Sequence, residues 1–151
     1  MAKRWSKLKK LIEDLFAPGL PLQIHCTAIR MTFDNEGSLA EVLGVFKVCL
    51  GKHVIWNFPR QFVNEETVYP DGGNWYAYGV RDLNELLRDY LDTPKAVLLK
   101  KEFARDFFGL TNMLKAADRR LGLERLEKHF KNCEQASLRQ VLSARLELHH
   151  R

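Results

Sequence analysis

The sequence predicts a single α+β domain over residues 1–151. An N-terminal amphipathic helix and a small antiparallel sheet with a central hairpin occupy 1–80, and a helical part occupies 81–151. Three observations carry this reading. Apolar residues recur at helical spacing before Pro18-Gly19, alternate or cluster in strand-like blocks from Leu20 to Phe58, and return to helical spacing from Asp82 onward. A chain of 151 residues supports one core. Its 46% hydrophobic and 28% charged residues, with 9 Gly and 5 Pro, exclude a disordered, collagenous or low-complexity protein.

The elements follow in order. From Lys3 to Phe16, Trp5, Leu8, Leu11, Ile12, Leu15 and Phe16 form the apolar stripe of a helix. Lys3, Arg4, Lys7, Lys9 and Lys10 fill much of the rest, and Pro18-Gly19 ends the pattern. Leu20 to Phe33 alternates through Leu22, Ile24, Cys26 and Ala28, then changes parity to Ile29, Met31 and Phe33, which predicts a β-bulge near Ala28–Ile29. Asp34 to Ser38 reads as a turn.

Val45 to Phe58 carries the strongest β signal, two apolar runs about Gly51-Lys52, where Gly supplies the positive φ of a two-residue hairpin turn. Counting outward from Leu50 opposite His53 sets Cys49 against Val54, Val48 against Ile55, Lys47 against Trp56 and Val45 against Phe58. Both faces of that hairpin are then largely apolar, and each needs a cover from helices or a second subunit. Pro59 ends the strand.

Tyr69-Pro70-Asp71-Gly72-Gly73-Asn74 is a turn, followed by the aromatic Trp75, Tyr76 and Tyr78. Leu83, Leu86, Leu87, Tyr90 and Leu91 make a helical stripe. Thr93-Pro94 reads as an N-cap and first-turn proline of a helix running through Phe103 and Phe107, and Gly109 interrupts. Leu110, Leu114, Ala117 and Leu121 form the next helix, closed by Gly122 at C′. Leu123, Leu126 and Phe130 suggest a short one, and Leu138, Val141, Leu142 and Leu146 the last.

Trp5-Ser6-Lys7-Leu8-Lys9-Lys10, Ile55-Trp56-Asn57-Phe58-Pro59, Asp92-Thr93-Pro94-Lys95 and Gly109-Leu110-Thr111-Asn112-Met113-Leu114-Lys115-Ala116-Ala117-Asp118-Arg119-Arg120-Leu121-Gly122 together resemble a family of small bacterial proteins with no assigned activity. The resemblance implies a bacterial cytosolic protein and brings no cofactor, catalytic residue or ligand site with it.

Charge and motifs bound the chemistry. Lys plus Arg number 24 against 19 Asp plus Glu, a net charge of +5, and the sequence pI is about 9.2. Phosphates, anionic surfaces or acidic partners suit such a chain without being required by it. No run of 18 uncharged apolar residues and no signal-peptide core is present, so a cytosolic protein without integral membrane association is expected.

The three cysteines, Cys26, Cys49 and Cys133, read as reduced thiols. Cys49-x-x-x-His53 and His129-x-x-x-Cys133 have zinc-like composition, and the second pair at i, i+4 fits one helical face. The hairpin puts Cys49 and His53 on opposite faces, so no metal site and no cofactor are expected. His25 and Cys26 likewise point apart on a strand. No phosphate loop, nucleophile elbow or His-Glu-x-x-His motif occurs, and Glu65-Glu66 has no evident partner.

Two surfaces remain. Tyr69, Trp75, Tyr76 and Tyr78, flanked by Arg60 and Arg81, join stacking faces to fixed positive charge, and the same letters fit a hairpin whose tyrosines cap the core. Lys3, Arg4, Lys7 and Lys10 suit phosphates, and equally the solvated face of a packed helix. Asp118-Arg119-Arg120 reads as basic residues complementing a helix C-terminus. The first expectation is a non-enzymatic module binding a protein partner or a second copy through the aromatic segment and an apolar sheet face. The second is a nucleic-acid-binding protein using the basic helix and the aromatic segment. The third is a small enzyme with no recognisable motif.

Overall fold

The structure, a computed structural model, describes residues 5–32, 39–58, 80–104, 106 and 108–150, and of residues 27–32, 39–45 and 80–82 the backbone only. Among the described residues the fold is α+β, six helices with one three-stranded antiparallel sheet in the order β1-β2-β3. The elements are α1 (Trp5–Glu13), β1 (Leu22–Thr32), β2 (Leu39–Leu50), β3 (His53–Phe58), α2 (Val80–Asp92), α3 (Lys95–Leu98), α4 (Leu110–Ala117), α5 (Leu123–His129) and α6 (Ala136–His149).

Helix α1 buries Leu8 and Ile12 completely. It leads into a turn in which Leu20 N–H donates to Ala17 O at 3.0 Å and Gly19 takes φ +83°. Pro at the second place and Gly at the third are what a type II turn requires. The segment just after α1 is then stitched to the far end of α4, with Ala17 N–H donating to Ala117 O at 2.8 Å and Arg119 N–H to Leu15 O at 2.7 Å.

The β1–β2 register runs unbroken from Leu22↔Leu50 to Met31↔Glu41 and shifts only between Met31 and Thr32. The bulge expected near Ala28–Ile29 is therefore absent. Straight pairing already sets Ile29 opposite Leu43 and Ala28 opposite Gly44, matching apolar with apolar and small with small, so nothing is gained by a break there.

The bulge lies instead in the central hairpin. Gly51 turns with φ +61°, and Leu50↔His53 and Cys49↔Val54 pair as counted. The register then shifts between Val48 and Cys49, giving Val48↔Trp56, Lys47↔Asn57 and Phe46↔Phe58. Ile55 is the extra residue. A straight ladder places Trp56 and Phe58 on the face of Lys47; the added residue turns them to the face of Phe46 and Val48. There Trp56 is 1% and Phe58 0% exposed, beside Leu22 and Ile24. Burying two large aromatics stabilises by roughly 2–3 kcal/mol each, against about 1 kcal/mol for a disturbed ladder bond, so the bulge wins. The expectation of two apolar faces is corrected by this one residue. On the other side Gln23, His25 and Lys47 are exposed and Val54 is 50% exposed.

The covered face packs against helices: α1 lies beside β1, α2 over β2 and α6 against β3. Leu83, Leu86, Leu87 and Tyr90 of α2 are buried as their spacing predicts. The helix expected from Thr93 through Phe107 stops at Leu98, and Phe107 lies outside the described residues. Thr93 does not cap it, because its hydroxyl donates backwards to Asp89 O at 2.7 Å; the N-cap is Pro94. The buried Lys115 amine then takes Leu99 O at 3.2 Å and Lys101 O at 2.6 Å, carbonyls that a longer helix would have bonded internally.

Helix α4 also ends early, at Ala117, because the Asp118 backbone forms a bridge with Phe16. Gly122 is accordingly the N-cap of α5, with φ −72°, and not the left-handed C′ residue expected. Gly109, with φ +76°, does need to be glycine: a Cβ there meets Gln135 Oε1 at 2.1 Å, and Gln135 Nε2 donates to Gly109 O at 3.0 Å.

Candidate functional site

Two charged assemblies stand out. The first is buried at the junction of α2, α4 and α6. Asp118 is 0% exposed, and its Oδ2 accepts the Tyr90 hydroxyl at 2.7 Å and Arg120 Nη2 at 2.7 Å. Its Oδ1 accepts Arg120 N–H at 2.9 Å and Nε at 3.0 Å. Arg145 of α6 donates from Nη1 to Ala116 O and Asp118 O, each at 3.0 Å, and from Nη2 to Leu121 O at 3.1 Å. The carbonyls left bare where α4 stops are thus met by a guanidinium fork. Burial, and then the Asp118 charge, hold the Tyr90 phenol protonated well above its ordinary range. Arg120 is held firmly protonated by its hydrogen bonds to Asp118.

The network continues through aromatic rings. Tyr90 and Phe103 have centroids 5.6 Å apart, and the Lys101 and Lys115 ammonium groups lie 4.7 and 5.5 Å from the Phe103 centroid. Burial lowers the Lys115 pKa, with Asp106 and Glu102 acting against it. Asp106 is raised by burial, against hydrogen bonds from Thr111, whose hydroxyl and N–H both donate to it. These groups pair with one another or with backbone, and the arrangement holds three helix ends together.

The second assembly is outside. At the edge of β1 that meets no strand among the described residues, Ile24 N–H donates to Glu13 Oε2 at 2.9 Å, and Lys9 Nζ donates to Ile24 O at 2.7 Å. Two α1 side chains one turn apart, 3.6 Å from each other, thus take the place of a further strand. Lys9, expected on a solvated face, is engaged there, and its Nζ lies 3.4 Å from His25 Nδ1. His25 pairs across to Lys47, and Lys47 to Asn57, on the face turned away from Trp56 and Phe58; His25 and Lys47 are exposed there, and Asn57 is half-buried with its Oδ1 shut off from water.

Of the residues singled out from sequence, Arg60, Tyr69, Trp75, Tyr76, Tyr78, Lys3 and Arg4 lie outside the described residues, and Arg81 is described only as backbone in α2. Lys7 and Lys10 are exposed on α1 without a hydrogen-bonding or ionic partner among the described residues. Arg119 and Arg120 do not complement a helix end, since α4 has already stopped; Arg119 is exposed and Arg120 clasps Asp118. The Cys26, Cys49 and Cys133 thiols are free and half-buried, and burial pushes Cys26 up to about 11. His129 ends α5, so His129 and Cys133 do not share a helical face. Among the described residues no three His, Cys, Asp or Glu side chains gather as a metal site.

Sequence reasoning missed the Tyr90–Asp118–Arg120–Arg145 network and the buried Lys115. For Lys115 a signal existed: Leu110, Met113, Leu114, Ala116 and Ala117 surround it on every side of α4, the mark of a helix buried all round.

Two cavities frame these assemblies. A void of about 10 Å³, walled by Trp5, Ile24, Trp56, Leu83, Leu87 and Leu114 among others, is apolar and has room for no more than one water. An open groove of about 330 Å³ runs between α6 and the β2 end, along Leu50, Arg139, Gln140, Ser143, Ala144 and Glu147. Arg139 is engaged there, donating to Cys133 O, Phe130 O and Lys131 O at 2.6–2.8 Å. Among the described residues no helix is long and apolar enough to cross a membrane. No family model, curated protein or solved structure matches this chain.

Proposed function

We propose that this protein acts by binding, as a non-enzymatic interaction module whose working groups are on its surface. One observation carries the reading. The buried Asp118, Arg145 and Lys115 are each taken up by neighbouring side chains or by the chain's own carbonyls, whereas Lys7, Lys10 and Lys47 stand exposed, with no ionic or hydrogen-bonding partner among the described residues. Groups committed to the fold are poorly placed to exchange protons with a substrate; exposed ones are free to meet a partner. A protein partner or a second copy engages the segment of Tyr69, Trp75, Tyr76 and Tyr78 with Arg60 and Arg81.

The test is light scattering of the purified chain together with capture from native lysate, using wild type, Trp75→Ala and Lys7→Glu/Lys10→Glu. A partner or a second copy held by wild type and released by one of the variants is the expected result. A monomer that retains nothing overturns the reading.

A second reading, a nucleic-acid-binding protein, is favoured by the exposure of Lys7 and Lys10 on a helix anchored by Leu8 and Ile12, both 0% exposed. That anchoring presents the two ammonium groups at low entropic cost. Oligonucleotide binding that weakens as salt rises supports this reading, and binding indifferent to salt sinks it.

A further inference from the structure

We draw no further inference here: the strongest candidate, the open groove of about 330 Å³ between α6 and the end of β2, has its Arg139 guanidinium already bonded to three carbonyls of the chain, and nothing in the structure shows what covers the rest.

Discussion

The helical half and the sheet treat charge in opposite ways. Around α4 the ionic groups are inside: Asp118 is fully buried, and Arg145 and Lys115 are 9% and 4% exposed. On the side of the sheet turned away from Trp56 and Phe58, His25 and Lys47 face solvent. The difference follows the backbone. Sheet residues find partners for most of their peptide groups on the next strand, whereas helices as short as four, seven and eight residues leave many carbonyls bare at their ends. Cations turn inward, wholly or in part, where those carbonyls need donors. Lys115 serves Leu99 and Lys101, Arg145 serves Ala116, Asp118 and Leu121, and Arg139 serves the end of α5.

The comparison breaks most sharply at the hairpin. Deleting Ile55 restores straight pairing and turns Trp56 and Phe58 toward solvent, so loss of cooperative unfolding in a denaturant titration is expected, with at least about 4 kcal/mol forfeited. A stably folded deletion variant removes the account of the one-sided sheet. Next in size is Asp118→Ala, which leaves the Tyr90 hydroxyl and the Arg120 guanidinium without their acceptor. About 3–5 kcal/mol is expected, and calorimetry reads it as a fall in Tm of roughly 10 °C. A change near zero says that the helical half does not depend on its inner charges.

Gly109→Ala is smaller, about 1–3 kcal/mol, because φ +76° and the 2.1 Å approach to Gln135 both penalise a Cβ. Adding Gln135→Ala relieves the steric part and leaves the backbone part, and chemical denaturation of the pair separates the two. The last prediction concerns rate. With its thiol at about 11 against an ordinary 9.0, Cys26 alkylates roughly 100-fold slower than an exposed thiol at pH 8. The rate climbs about tenfold per pH unit and levels off above 11, as mass spectrometry of iodoacetamide-treated protein measures. A plateau already reached at pH 9 places Cys26 in water.

How much of this was legible depends on the distance between partners. Local signals read well: Pro18-Gly19 as the stop of the first helical pattern, Gly51-Lys52 as a hairpin with its first two pairs, the α2 stripe, and the α+β class that joins them. The Ile55 bulge was hidden because turn chemistry fixes where a ladder starts, whereas the bulge is set by which face the helices cover. Straight counting did leave a symptom, a hairpin greasy on both sides. Thr93 failed for a different reason: a hydroxyl between two helices can serve either, and here it serves the one before. Asp118 was illegible because its partner Tyr90 stands 28 positions away on another helix. Of the exposed cations, Lys7 and Lys10 were legible from the helical spacing, while the pairing of Lys47 with His25 required the register.

The stitch between the segment after α1 and the end of α4 bears on how the chain is made. Ala17 and Ala117 are partners 100 positions apart. At roughly 5–20 residues per second, a ribosome emits the first about 5–20 s before the second, so this stitch closes only after the sheet and α2 have been made.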